Sequence, residues 1–353
     1  MKKVALLPFF ALALTAVFAG SKDKTLDVYW IDSEGGGATL IVTPSGESVL
    51  IDAGNPGGRD AARIVAVAKL AGLSHIDHFM LTHFHGDHFG GAAELAQLLP
   101  FRAIYQRAIP EKDPDGKASS PFLTQIKPFR ELAAKRVPLV AGVTIPLKAV
   151  AKGPALSLRC LGADQKFIAP ADIWAPKNPL SGTGDPRKVN PSDNDNSAVF
   201  VLQFGAFRFF DGGDLTWNLE EQLVTPNNLA GVVDVYQTNH HGNADSSNPI
   251  LLKSVAPTVV VMNNGPRKGG QSGAFVAIKS APTVKALYQL HKSLTASPAD
   301  NAPDEFIANL EEGKPADQCT ANYIKMVVAA DAKSYTISIP GTGHAHTYQT
   351  RVE

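Results

Sequence analysis

Two cysteines, no net charge and no apolar run long enough to span a bilayer comfortably bound this 353-residue chain before any motif is read. The two thiols are Cys160 and Cys319. A bridge between them would close a loop of about 160 residues and stabilise by ~4–5 kcal/mol through loop entropy. Cys160 sits in the alternating run Leu156-Ser157-Leu158-Arg159-Cys160-Leu161, which suits a buried free thiol equally well, so pairing stays open. Lys and Arg together number 33, as do Asp and Glu. A chain so balanced lacks the basic excess needed to grip long nucleic acid without regard to sequence. The longest apolar run, Val4 to Phe18, has about 15 residues where a transmembrane helix needs about 20. Lys2-Lys3 precede it and small residues, Ala19-Gly20-Ser21, follow. That pattern is expected of a signal peptide over 1–19, with an uncleaved anchor as the alternative. Residues 20–353 would then form the exported protein, secreted or periplasmic, with no stable membrane partner. That length can bury one large α/β core.

Histidine is scarce in a telling way. There are ten, and none lies between His88 and His240. Three of the ten crowd into Thr82-His83-Phe84-His85-Gly86-Asp87-His88, with a carboxylate among them. Ile76 to Leu81 upstream reads as a buried strand, and Gly90-Gly91 downstream opens a helix over Ala92–Leu99. The cluster therefore stands on a loop at a strand's C-terminal end, where rigid scaffolds present chemistry. Imidazoles with a carboxylate are a ligand set for zinc or a similar first-row ion, and an open position on such an ion activates water. Crowding so many polar groups without a partner would be costly.

Around this stretch the pattern is β-rich. Leu26–Trp30, Ala38–Thr43 and Ser48–Ile51 read as strands, the last ending in Asp52-Ala53-Gly54. Asp52 there is placed to orient a ligand rather than to be one. Asp60–Ala71 is a helix with Ala61, Ile64, Val65 and Ala68 on one stripe. Phe122–Lys135 reads as a helix and Val143–Cys160 as a strand pair. Arg107–Pro121 and Asn178–Asp195 are long loops of the sort that rim sites. Further on, Ala198–Leu202 and Arg208–Phe210 are strands, Asp214 follows a strand end, and Val232–Gln237 ends in Asn239-His240-His241-Gly242. After a strand over Thr258–Met262 comes Asn263 to Gly270, whose Arg267 and Lys268 could hold a phosphate or carboxylate. Pro282–His291 has the spacing of an amphipathic helix. Tyr323–Ala329 and Ser334–Ile339 look like closing strands, and His344-x-His346 reads as an exposed pair on a polar tail.

His83-x-His85-x-Asp87-His88 resembles the signature of the metallo-β-lactamase-fold hydrolases. "DVYWIDSEGGGATLIVTPSGESVLIDAG", "NDNSAVFVLQFGAFRFFDGGDL" and "NHHGN" look like the narrower ComEC-type group. The resemblance implies an α/β (α+β) fold, a four-layer αβ/βα sandwich, with a metal site at one edge of two sheets. It implies zinc, one or two ions, with manganese as an alternative. His83 and His85 would hold the first ion and Asp87 and His88 the second. Asp214 would bridge them, and one of His240 and His241 would complete the second, with His240 the first choice. Asp87 would also orient the attacking water or take its proton. Two departures stand out. Gly37 occupies a place where the group usually has Asp. The histidine-free interval holds Asn194, Asn196 and Ser197 where lactonases, thioesterases and β-lactamases of this fold carry a ligand histidine, so the first ion is expected to bind more weakly. Asn196 and Ser197, with Arg267 and Lys268, are candidates for contacting substrate. The resulting expectation is a metal-dependent hydrolase of phosphodiester bonds in a small molecule or oligonucleotide. Lactone, β-lactam or other ester hydrolysis is the alternative within enzymes, and a metal-stabilised binding protein the alternative outside them.

Overall fold

The computed structural model describes residues 22–188, 191–310 and 315–351; the run expected to be a signal peptide lies outside them. Among the described residues no helix is long and apolar enough to cross a membrane.

Alternation along the strands builds the layers. Val28 and Trp30, Ile41, and Val49 and Ile51 point to one core, while Tyr29, Leu40 and Leu50 between them point to another. Period two sends successive side chains to opposite faces, so a sheet with this sequence must be covered on both. Among the described residues the first sheet has nine strands. In spatial order they are His344–Gln349, Ser334–Ile339, Ile324–Val328, Leu26–Trp30, Thr39–Val42, Ser48–Ile51, Ile76–Met80, Phe101–Gln106 and Lys135–Pro138. The second has eight: Ile307–Asn309, Ala286–His291, Val259–Met262, Val235–Gln237, Phe207–Asp211, Val199–Phe204, Leu156–Ala163 and Lys166–Phe167. Their facing sides share a core in which Trp30, Val49 and Met80 meet Phe200, Leu202, Phe209 and Val261. Helices Arg59–Leu70, Ala92–Leu98 and Phe122–Arg130 cover the outer face of the first sheet through Ile64, Ala68, Leu95 and Phe129. Trp217–Val224, Pro249–Val255 and Ser272–Ser280 cover the second through Leu223, Leu251 and Phe275. This is the expected four-layer αβ/βα sandwich.

Several expected elements differ. Pro282–His291 is not a helix: Ala286–His291 is a strand pairing in parallel with Val259–Met262. Val284, Leu287 and Leu290, three apart, mimic a helical stripe, but Tyr288 and Leu290, two apart, are the residues that enter the inter-sheet core. The helix is one element earlier, Ser272–Ser280. The expected helix over Phe122–Lys135 stops at Arg130, and Lys135 opens an edge strand. In place of a strand pair over Val143–Cys160 there is one strand, Leu156–Ala163, with Thr144 bridging to Arg159. His344 and His346 lie in an edge strand rather than a tail; His346 is exposed, and His344 Nε2 is 3.1 Å from Tyr288 Oη. Cys160 and Cys319 are unpaired. Cys160 is packed in the inter-sheet core and burial pushes its thiol up to about 12; Cys319 Sγ faces Asp32 instead.

The sheets are bolted together where their parallel strands end. Gln237 Oε1 accepts from Trp30 Nε1 at 2.7 Å and Thr39 Oγ1 at 2.8 Å, joining the two sheets with buried groups. Ala198 N donates to Thr82 O across the same edge at 3.0 Å. That joint brings Thr82–His88 against Asp211–Asp214 and Asn239–Gly242.

Candidate metal centre

The loop after Ile76–Met80 turns because Asp52 pins it. Asp52 Oδ1 accepts from Thr82 N at 2.8 Å and Oδ2 from Thr82 Oγ1 at 2.7 Å. Asp52 itself has φ 61°, a left-handed conformation that Asp and Asn tolerate better than most residues. His85 then caps the short helix Gly86–Phe89, which lifts Asp87 and His88 towards the second sheet.

Two donor groups result, and they share Asp214. In the first, His83 Nε2 lies 3.0 Å from His85 Nδ1 and 3.9 Å from Asp214 Oδ2. In the second, Asp214 Oδ2 is 3.2 Å from His88 Nε2 and 3.4 Å from His241 Nε2. Asp87 Oδ2 is 3.4 Å from each of those two nitrogens. The second imidazole of this group is therefore His241, not the first choice, His240. His240 Nε2 is 3.7 Å from Asp214 Oδ2, and its Nδ1 is 2.7 Å from Asp245 Oδ1.

The group fits divalent ions by an observation independent of the motif. The buried nitrogens His88 Nε2 and His241 Nε2 have no hydrogen-bond partner among the described residues. Both face carboxylate oxygens, so each needs a positive charge beside it, a bound proton or a metal ion. The far nitrogens of three of these imidazoles are held, as ligand imidazoles require, whereas His241 Nδ1 has no partner among the described residues. His88 Nδ1 lies 2.6 Å from Asp52 Oδ2, His85 Nε2 3.0 Å from Asp115 Oδ1, and His83 Nδ1 3.0 Å from Thr82 Oγ1.

Charge follows from this packing. Burial works against the Asp214 carboxylate, but His241, His88 and His240 outweigh it and hold it well below the usual range. Asp87 is likewise held low against burial, by His88 and His241 and by Lys268, whose Nζ bonds its Oδ2. Burial would also keep His88 neutral, yet Asp214, Asp87 and Asp52 raise it well above the ordinary imidazole value. His83 goes the other way, lowered well below by burial and then by the neighbouring His88 and His85.

The remaining sequence candidates divide. Ser197 Oγ accepts from Asp214 N at 3.1 Å and lies 3.4 Å from His83 Nδ1, so it positions two ligands instead of facing substrate. Asn196 bonds elsewhere than the donor groups: its Nδ2 donates to Asp193 Oδ1 at 2.9 Å and its Oδ1 accepts from Gln165 Nε2 at 2.9 Å. It lines a groove of about 720 Å³ with Arg107, Lys112 and Pro191. Arg267 and Lys268 are both exposed, but Lys268 reaches the donor cluster by bonding Asp87. A Cβ at Gly37 would stand 2.8 Å from both Asp52 Oδ2 and His88 Nδ1, so the carboxylate expected there has no room beside that pair.

The sequence reading missed Asp115, Asp193 and Asp245. Asp193 bonds Arg107 and accepts from Phe84 N at 2.5 Å, while Asp115 accepts from Asp193 N at 2.9 Å, so the two long loops lock each other beside His85. For Asp115 and Asp193, placement on those loops was the signal available; Asp245 lies outside them and gave none.

Residues 33–149 match the family model of the metallo-beta-lactamase superfamily. The segment contains the whole Thr82–His88 loop, and the two-sheet sandwich carries it at the expected edge. The fold is that of the metallo-β-lactamase superfamily. Over 62 residues the chain is 40% identical to an atrochrysone carboxyl ACP thioesterase, dmxR1, of Cryptosporiopsis sp. (strain 8999), covering 18% of this chain and 19% of that one. Over 73 residues it is 38% identical to a UPF0173 metal-dependent hydrolase of Cupriavidus metallidurans, covering 20% and 22%. The chain thus spans about a fifth of the length of these relatives. Among solved structures it is similar to the metallo-β-lactamase fold protein YhfI of Bacillus subtilis, with TM-score 0.42 and 12% identity over 75% of this chain and 96% of that one.

Proposed function

We propose that the protein is an exported, metal-dependent hydrolase that cleaves phosphodiester bonds, in the manner of the ComEC-type group. The observation that carries this is the pair of donor groups joined through Asp214 Oδ2. His83, His85 and Asp214 would hold one ion; Asp87, His88, Asp214 and His241 would hold the other. Zinc suits the imidazole-rich set, and manganese would be accepted where oxygen donors complete it. Divalent ions so held lower the pKa of water and stabilise negative charge on attacking and leaving oxygens.

The chain's own residues supply the rest. Asp87 is a carboxylate at the ion cluster and can accept the proton of attacking water. Lys268 bonds Asp87 and is half-exposed, so its ammonium can also meet a phosphoryl oxygen entering from solvent. A cation at the rim favours an anionic substrate over a neutral one. A groove of about 440 Å³ lined by His85 and one of about 720 Å³ lined by Asp115 and Asn196, both walled by the loop 107–121, are wide enough for a small molecule or a short oligonucleotide. Thioester or other ester hydrolysis is the second reading, favoured by the short match to a thioesterase.

The test is a panel of bis-p-nitrophenyl phosphate, a thioester, a lactone and nitrocefin, run with EDTA and with metal restored. Turnover of the phosphodiester that EDTA abolishes is expected. Turnover of the neutral esters alone would overturn the substrate class, and no metal-dependent turnover of any would favour a binding protein. Export is tested separately by N-terminal sequencing of the extracytoplasmic protein, expected to begin near Gly20.

A further inference from the structure

We propose that the outer face of the second sheet carries a binding site for a flat-ringed organic anion, a phosphate or a carboxylate, held by Arg159 and Arg208 and stacked by Trp174. The site shares no residue with the donor groups at Asp214 and does not rest on the metal-centre reading.

The cavity forms because this face of the sheet changes character at one corner. Side chains two apart share a face, and on this one Leu161 and Val201 join the core beneath the helices. Beyond them the same face turns polar. Ser157 stands opposite Gln203 and Gln203 opposite Arg208 across three neighbouring strands, and Arg159 stands opposite Val201. Ile173 and Trp174 reach this corner from the connection after Lys166–Phe167. What stays open is a cavity of about 450 Å³, a size that holds a small molecule. It lies away from the ion edge. Val199–Phe204 leaves that edge and Gln203 is near its far end; Phe207–Asp211 runs back towards it and Arg208 is near its start.

The lining holds two guanidiniums and no carboxylate. Arg208 is fixed in place, with Nη2 donating to Ala230 O at 2.7 Å and Nη1 to Gln203 Oε1 at 3.3 Å. Arg159 is not. Its Nε is buried with no hydrogen-bond partner among the described residues. Arg107 and Arg130 also have such an Nε, but their terminal nitrogens bond Asp193 and Pro110 O. No such bond ties Arg159 among the described residues. Asp172 lines an adjoining groove with Arg159 and makes no ion pair with it there. Asp234, which accepts from the backbone N of both Arg208 and Arg351, is outside the lining.

A half-buried cation without a partner is costly, and a bound oxyanion removes that cost. The guanidinium fork matches the oxygens of phosphate and carboxylate alike. The remaining walls call for more than a bare ion. Leu161, Val201 and Leu229 are buried and apolar, and Trp174, 79% exposed, stands at the rim. An aromatic face so placed takes a flat ring.

The experiment is equilibrium binding followed by tryptophan fluorescence and by thermal unfolding. Trp30 and Trp217 are buried, so quenching by a solute reports Trp174. The probes are phenylphosphonate, benzoate, benzyl alcohol and inorganic phosphate. The first two distinguish the headgroups; the better of them is expected to quench, to raise Tm, and to bind at least ~10-fold more tightly than the uncharged alcohol or the ringless phosphate. R159M takes out a half-buried charge that has no partner, so it should unfold at no lower temperature than wild type. It should nonetheless bind the same anion at least ~10-fold more weakly. W174A, read by the Tm shift, should weaken it about 2- to 10-fold, the value of one aromatic pair. Circular dichroism checks both folds. A folded R159M that binds the anion as tightly as wild type would put it elsewhere, the metal centre included, and overturn the proposal. Equal binding of benzyl alcohol, or no binding of either ring anion by wild type, would overturn it as well.

Discussion

Replacing Asp52 by Asn is expected to damage the second ion position without unfolding the protein. Asp52 Oδ2 is 2.6 Å from His88 Nδ1 and receives Thr82 Oγ1 at 2.7 Å, while Oδ1 receives Thr82 N at 2.8 Å. Asn tolerates the left-handed backbone at φ 61° and can keep its carbonyl oxygen on Thr82 N. Its amide NH2 then faces His88 Nδ1. A donor there forces the imidazole proton onto Nε2, the nitrogen aimed at Asp214, and removes the lone pair an ion needs. The charge-assisted bond lost contributes about 1.5–3 kcal/mol. At about 1.4 kcal/mol per tenfold, zinc should bind about 10- to 100-fold more weakly at this position. Competition with a chelator reads the affinity and circular dichroism checks the fold. A folded D52N with wild-type affinity for both ions would refute the tautomer argument.

Three further outcomes follow from the same geometry. Asp214, Asp87 and Asp52 raise His88 well above the ordinary imidazole value against burial; zinc must displace the proton they favour, so affinity should rise with pH by up to about tenfold per unit, and calorimetry in two buffers of different ionisation heat should show proton release, whereas pH-independent uptake would contradict the direction of that shift. Glu220 is buried, accepts from Asn239 Nδ2, Ser247 N and Asn248 N, and is pushed by burial from 4.5 to about 7. The folded state therefore binds more protons than the unfolded one between those values, and its stability should fall as pH rises through them; E220Q should flatten that fall in urea unfolding of the metal-free protein, and an unchanged slope would rule Glu220 out as its source. K268A should raise KM for a phosphodiester about 10-fold or more, the value of a hydrogen bond to a charged group, and leave a neutral ester unaffected; equal effects on both would remove Lys268 from anion recognition.

What could be read in the sequence was what is local. The stretch from His83 to His88 is six residues long, so its convergence needs only a strand end and one turn, and both are visible in the hydropathy. Asp214 was legible for the same reason, standing directly after the strand Phe207–Asp211. The second histidine was ambiguous because His240 and His241 are neighbours whose rings diverge only through two left-handed backbones. Hydropathy carries no φ angle, and two non-glycine residues give no hint of one. Asp115 and Asp245 were invisible as orienting groups because their partners are fixed by how whole loops pack. His85 and Asp115 are thirty residues apart, joined across a loop whose course is set by Asp193 and Arg107.

The absence of a histidine between His88 and His240 has to be tested in space as well as along the chain. Counted along the chain it reads as a lost ligand and predicts a crippled position. In space the turn that carries Asn194 comes down on His240, an imidazole from a different loop. Asn194 Nδ2 meets that ring's Nε2, and neither donor group at Asp214 includes it, so the first position keeps two imidazoles and one carboxylate. A missing motif residue therefore excludes a metal position only after every loop end reaching that volume has been searched for a replacement.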